Sequence, residues 1–156
     1  MARRWTTPAA LDAETRLLNA ATNGAGPAVR DGFAERVAAA VTSTEGPPQS
    51  LTARGVNALS ADQAAALVQV CSSGRGVQVL VGPAGSGKTT TLKAIKGTWD
   101  LDPDRPTNTG GVVGLAPSAV AAAQLSQALG TRCETTAKWL HETVGPGGQG
   151  PDPRSP

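Results

Sequence analysis

Tyrosine is absent from this chain, histidine occurs once (His141), and cysteine occurs twice (Cys71 and Cys133). The first two shortages exclude chemistry that needs a tyrosine nucleophile beside a metal held by several histidines. The cysteines lie far apart and form no Cys-x-x-Cys pair, which removes the usual zinc and redox spacings; two small buried hydrophobes in a reducing compartment are expected instead. Aromatic residues make up only 3% of 156 positions while hydrophobic residues make up 39%, so the core is expected to be filled by Ala, Val and Leu. No apolar stretch approaches the roughly 20 residues of a membrane span. Arg3-Arg4 is followed by Trp5 and polar residues, not by a signal-peptide core. A cytoplasmic address with no membrane partner is the expectation. Net charge is +2 and the pI is near 8.8, too mild to argue nucleic-acid binding by itself.

What is present begins with helical signals. Thr7 is placed as an N-cap with Pro8 at the first helical position. Leu11, Leu17, Leu18 and Ala21 then recur at helical spacing until Gly24. A second helix is predicted from Asp31 to about Thr44, with Phe33, Val37 and Val41 on one face, ending at the Gly46-Pro47-Pro48 linker. Ser60-Ala61-Asp62-Gln63 fits a capping box, Leu59 precedes it as a staple, and the helix continues through Leu67, Val68 and Val70. Val77 to Val81 is a short β-branched run and reads as a buried strand. A helix follows from Lys88 to about Lys96, then a loop over 98–110. Gly111 to Ala116 is a second strand candidate, and Pro117 or Ser118 opens a helix to Leu129. A short helix is expected over Thr135 to Glu142. From Gly145 the chain is Gly- and Pro-rich, and disorder is expected there. Strands joined by a helical crossover should be parallel, so the fold class is α/β, a three-layer parallel-sheet domain preceded by helices. The expected divisions are an N-terminal helical segment over 1–48, a partial phosphate-loop domain over 49–144 and a tail over 145–156.

The specific signal is Gly82-Pro83-Ala84-Gly85-Ser86-Gly87-Lys88-Thr89, a Walker A phosphate loop. A phosphate needs a turn of backbone N–H groups ahead of a helix N-terminus; glycines permit the tight turn and the helix dipole favours the anion. Lys88 is placed to reach the β- and γ-phosphates and Thr89 to hold Mg²⁺, with Thr90 beside them. A β-branched strand before and a helical pattern after supply the required context. Cofactors ATP and Mg²⁺ follow, with Lys88 and Thr89 as the catalytic pair. No Asn-Lys-x-Asp follows, which counts against a GTPase.

The flanks carry a resemblance. Leu59-Ser60-Ala61-Asp62-Gln63 before the loop, Gly114-Leu115-Ala116-Pro117-Ser118 after it, and Glu134-Thr135-Thr136-Ala137-Lys138-Trp139-Leu140-His141-Glu142 beyond together resemble the motor domain of superfamily 1 helicases of the RecD-like type. They are most similar to the helicase half of conjugative relaxase–helicases of the MobF class, over about residues 5–142. This implies a P-loop NTPase of the RecA-like kind, incomplete here. It implies an adenine-reading role for Gln63, for which an amide is chemically suited; the capping box is the alternative use of the same side chain. It implies single-stranded DNA contacts for Pro117, Ser118, Thr135 and Thr136, with helix initiation as the alternative at the first two. Trp139 suits base stacking or a core position, and a core position is expected. His141, without partners in sequence, is expected to serve surface or packing.

Departures from that family's pattern shape the rest. After the loop no apolar run ends in Asp-Glu, so the Walker B carboxylates that position the attacking water are missing, as are an arginine finger and a second motor domain. The relaxase half is excluded by the missing tyrosine. The expectation is therefore a truncated ATP-binding segment, without hydrolysis on its own, with single-stranded DNA and the rest of a split helicase or relaxase as possible partners. A two-strand sheet would leave an open edge and a loosely packed C-terminal half. Two alternatives stay open. One is a small P-loop kinase, disfavoured by scattered arginines beyond the loop (Arg105, Arg132 and Arg154). The other is a non-enzymatic interaction module formed by residues 8–44 with an inert loop.

Overall fold

The computed structural model describes residues 6–105 and 111–144, and the chain divides into two compact units at Arg105/Pro106. The first unit is helical. Helix α1 (Pro8–Thr22) starts where expected, with the Thr7 hydroxyl accepting the Ala10 N–H at 3.2 Å. None of its residues is buried: Leu11, Leu17 and Leu18 are 50, 68 and 59% exposed. Helices α2 (Phe33–Thr42), α3 (Gln49–Thr52) and α4 (Ala61–Ser72) follow, then α5 (Lys88–Leu101). The one-turn α3 was not read from the sequence because four residues carry no periodicity. Leu51 nonetheless anchors it in the core.

Helix α4 packs against both α2 and α5. Its buried residues Ala64, Leu67 and Cys71 are spaced by three and four, so they share one face. They meet Val37 and Val41 from α2, Leu51 from α3, Ala94 and Ile95 from α5, and Val56 and Leu59 from the connection between α3 and α4. Small side chains allow close approach. Gly97, mid-helix in α5, would put a Cβ only 2.8 Å from a Val56 methyl. The roughly 1 kcal/mol that glycine costs a helix relative to alanine is thus exchanged for packing. The buried Thr98 hydroxyl is satisfied by the Ala94 carbonyl at 2.8 Å.

Helix α5 runs five residues past the expected end. Its C-terminal turn is fastened by Asp100, which accepts from Lys96 at 2.6 Å and Arg105 at 2.8 Å. Beyond it, the buried Asp102 carboxylate accepts the backbone N–H groups of Arg30 (3.3 Å) and Asp104 (3.2 Å). These contacts convert the expected start of a loop into helix and cap.

The run Val77 to Val81 does not form the buried strand that its composition predicts. No backbone hydrogen bond joins it to any described residue, and Val77, Val79 and Val81 are 49, 78 and 86% exposed. β-Branched residues favour extended backbone, but a strand exists only when a neighbour completes its ladder.

The second unit contains β1 (Gly114–Ala116), α6 (Ala119–Leu129), β2 (Cys133–Thr135) and α7 (Thr136–Val144). The two strands are parallel, with Gly114 opposite Cys133 and Ala116 opposite Thr135, and α6 is the crossover. The sequence pattern assigns the parallel partner of β1 to 77–81; within this unit the partner is instead β2. Three residues reading Cys-Glu-Thr have no alternation to reveal them. Ser118 caps α6 through the Ala121 N–H, and Gly130 ends it in the left-handed conformation. The expected loop segment 106–110 and the tail 145–156 lie outside the described residues.

Candidate nucleotide-binding site

The loop between 82 and 87 is a tight turn leading into α5. Ser86 N–H donates to the Pro83 carbonyl at 3.3 Å. Gly85 and Gly87 have φ of +78° and +79°, a region that costs L-residues with a Cβ roughly 1–2 kcal/mol. Gly87 is the N-cap of α5, and Thr91 is the first residue to donate within the helix, to the Gly87 carbonyl at 2.9 Å. The N–H groups of Lys88, Thr89 and Thr90 therefore have no intrahelical acceptor. Together with the dipole of a 14-residue helix they make a site for an anion.

The Lys88 ammonium folds over this turn, donating to the Gly82 carbonyl at 2.7 Å and the Pro83 carbonyl at 2.6 Å. It is held by backbone oxygens, not by a carboxylate, so its charge remains unneutralised at the loop. Thr89, the second residue of α5, is exposed, and its hydroxyl has no protein partner among the described residues. A single hydroxyl suits Mg²⁺, which takes one or two protein ligands and completes its shell with phosphate oxygens and water. Among the described residues there is no cluster of three or more His, Cys, Asp or Glu that would hold a metal without the phosphate.

A cavity of about 310 Å³ lies beside the loop, lined by Asp62, Gln63, Leu80, Gly82, Lys88 and Thr91, among others. Gln63 forms its wall on the α4 side. The capping box is fully made: the Ser60 hydroxyl accepts the Gln63 N–H (3.4 Å) and Gln63 Oε1 accepts the Ser60 N–H (3.1 Å). The same carboxamide reaches the loop, where Nε2 donates to the Ser86 carbonyl at 3.2 Å. Sequence spacing identified the box; the contact across 23 positions had no local signal.

The remaining sequence-derived residues belong to the second unit. Ser118 is the α6 cap, with Pro117 exposed before it. Thr135 accepts the Lys138 N–H at 3.1 Å, and Thr136 donates to the Ala116 carbonyl at 3.3 Å. Each of these three hydroxyl-bearing residues thus terminates or starts an element. Trp139 is 38% exposed, against the expectation of a core position, because α7 packs chiefly against the two short strands. His141 is exposed. Glu134 is held below the usual carboxylate range, chiefly by its hydrogen bond with Lys138 and also by Arg132.

No curated protein and no solved structure matches the chain. Residues 58–154 match the AAA domain family AAA_30, a P-loop NTPase family found in superfamily 1 helicases. No helix among the described residues is long and apolar enough to cross a membrane. A Walker A turn with its lysine over the loop, a following 14-residue helix and a parallel α/β unit accord with this match, which spans more than half of the sequence. The chain belongs to the AAA domain family of P-loop, helicase-type ATPases.

Proposed function

We propose that this chain binds ATP–Mg²⁺ as the nucleotide-binding segment of a superfamily 1 helicase, RecD-like and closest to the helicase half of MobF-class conjugative relaxase–helicases. The observation that carries the reading is the loop itself: Lys88 over the turn and the unfilled N–H groups at the start of α5. Gly82 to Gly87 wrap the phosphates, Lys88 neutralises charge developing on them, and Thr89 holds the metal, with Thr90 completing the helix start. When bound, Mg²⁺ supplies charge neutralisation between the terminal phosphates. Weak contacts to single-stranded DNA fall to Pro117, Ser118, Thr135 and Thr136 by the resemblance described above.

Binding without sustained turnover is the expected behaviour. Every acid after the loop among the described residues is already engaged. Asp100 pairs with Lys96 and Arg105, Asp102 holds two backbone N–H groups, and Asp104 faces Arg30. Glu134 and Glu142 pair with Arg132 and Lys138. None of them lines the cavity beside the loop, where an attacking water would have to be held. The test is a titration with a fluorescent ATP analogue and Mg²⁺ beside Lys88→Ala, with phosphate release followed in the same tubes with and without single-stranded DNA. Saturable binding lost in the variant, without release, supports the reading. DNA-stimulated release would overturn the expectation of inactivity, and binding that survives Lys88→Ala would overturn the site.

A second reading has support from α1, whose Leu11, Leu17 and Leu18 are exposed. An interaction role for residues 8–44, with the rest of a split helicase or relaxase as partner, would appear as partner binding unaffected by Lys88→Ala.

A further inference from the structure

Gln63 ties the first turn of α4 to the phosphate loop. Its Oε1 is occupied by the Ser60 N–H and its Nε2 by the Ser86 carbonyl. The carboxamide also lies hard against Gly87, where a Cβ would collide with Nε2. An amide that reads an adenine edge must present its carbonyl and its N–H together to the base. Here each end already makes one hydrogen bond to the protein, so turning the amide fully toward a base would break the helix cap and the loop contact.

The contact with Ser86 has a geometric consequence. A trans peptide carries its C=O and N–H on opposite sides. Holding the Ser86 carbonyl toward Gln63 therefore directs the N–H of Gly87 away from α4. Glycine adopts either sign of φ at little cost, so on the Gly87 side no side chain stops the Ser86–Gly87 peptide from flipping. We propose that Gln63 is a positioning residue that locks this peptide, keeping the Gly87 N–H available to phosphate and the Ser86 carbonyl turned away from it. The preference it supports is for the polyphosphate chain, not for the base. This rests on the phosphate-loop reading above.

The test compares Mg²⁺–tripolyphosphate, which has no base, with Mg²⁺–ATP by calorimetry on the full chain, in wild type, Gln63→Leu and Ser60→Ala. Gln63→Leu should weaken both ligands by the same factor, about five- to tenfold for the loss of one orienting hydrogen bond. Ser60→Ala keeps the Nε2 contact; it should lower the melting temperature yet leave tripolyphosphate affinity within about twofold of wild type. A Gln63→Leu variant that loses ATP affinity but keeps tripolyphosphate affinity would make Gln63 a base reader and overturn the proposal. So would unchanged affinity for both ligands, or equal losses in Gln63→Leu and Ser60→Ala, which would reduce the residue to a helix cap. If wild type binds neither ligand, or binds both equally after Lys88→Ala, the phosphate-loop reading itself fails and the lock fails with it.

Discussion

The two units of this chain are held together by different means. The first has a continuous apolar core in which Leu67, Val41, Val56 and Cys71 are almost wholly out of water. In the second, the buried apolar side chains are Ala116, Ala122 and Leu129 among the described residues. Beyond these it has a three-residue parallel ladder, side-chain caps and surface ion pairs around α7. Burial yields about 25 cal/mol per Å² of apolar surface, whereas exposed ion pairs yield little. The phosphate loop is mounted on the unit with the core, between α4 and α5. A site that must hold backbone N–H groups at fixed positions is thereby placed on the stiffer support.

Each unit carries one cysteine, and these thiols report the difference. Burial pushes the Cys71 thiol up to about 12, so it stays protonated and unreactive at pH 8, while the half-buried Cys133 is accessible. The largest effect is expected from Leu67→Ala: a loss of about 2–5 kcal/mol, with Cys71 becoming reactive and ATP-analogue binding weakened. Unchanged Cys71 labelling would contradict the assignment of Leu67 to a shared core. Leu129→Ala should cost less, about 2 kcal/mol at the rim of a small core, and should speed Cys133 labelling without altering nucleotide affinity. If affinity falls as well, the two units are not energetically separate.

Asp100→Asn comes next, at roughly 1 kcal/mol for a partly buried ion-pair cluster. Burial raises the Asp100 carboxyl, but hydrogen bonds from Lys96 and Arg105 outweigh it and hold the group below its ordinary 3.8. A lowered pKa stabilises the fold above the unfolded value and ceases to do so as pH falls through the folded one. The gap between wild type and Asp100→Asn should therefore be constant from neutral pH to about 4 and close below that; denaturant melts across the range would show it. The smallest effect belongs to Lys138→Ala. Its pKa is raised by the hydrogen bond to Glu134, yet the pair is on the surface, and in about 0.15 M salt no measurable change in melting temperature is expected. A clear drop would mean that the second unit depends on its charges.

Legibility in the sequence followed the range of the interaction. The Thr7 cap and the Ser60–Gln63 box depend on residues within four positions and were readable, and the start of α6 was placed to within one residue, at Pro117 or Ser118. The Walker A turn was readable for the same reason, because a phosphate site made from backbone leaves its glycines in consecutive sequence. What depended on distant partners was not. The extension of α5 is set by Arg30 and Arg105 around Asp100 and Asp102. The contact of Gln63 with Ser86 links positions 23 apart. β2 is defined by its register with β1, not by its own three residues, and the valine run 77–81 lacks, among the described residues, the neighbour its composition anticipates.

That valine run has a colloidal consequence. An extended segment with open N–H and C=O groups and outward valines is a template for another chain, and a net charge of +2 offers little repulsion against it. Because Val81 is joined directly to Gly82, association along this segment would capture the residues that lead into the phosphate loop, and a sample losing monomer would lose nucleotide-binding capacity in step.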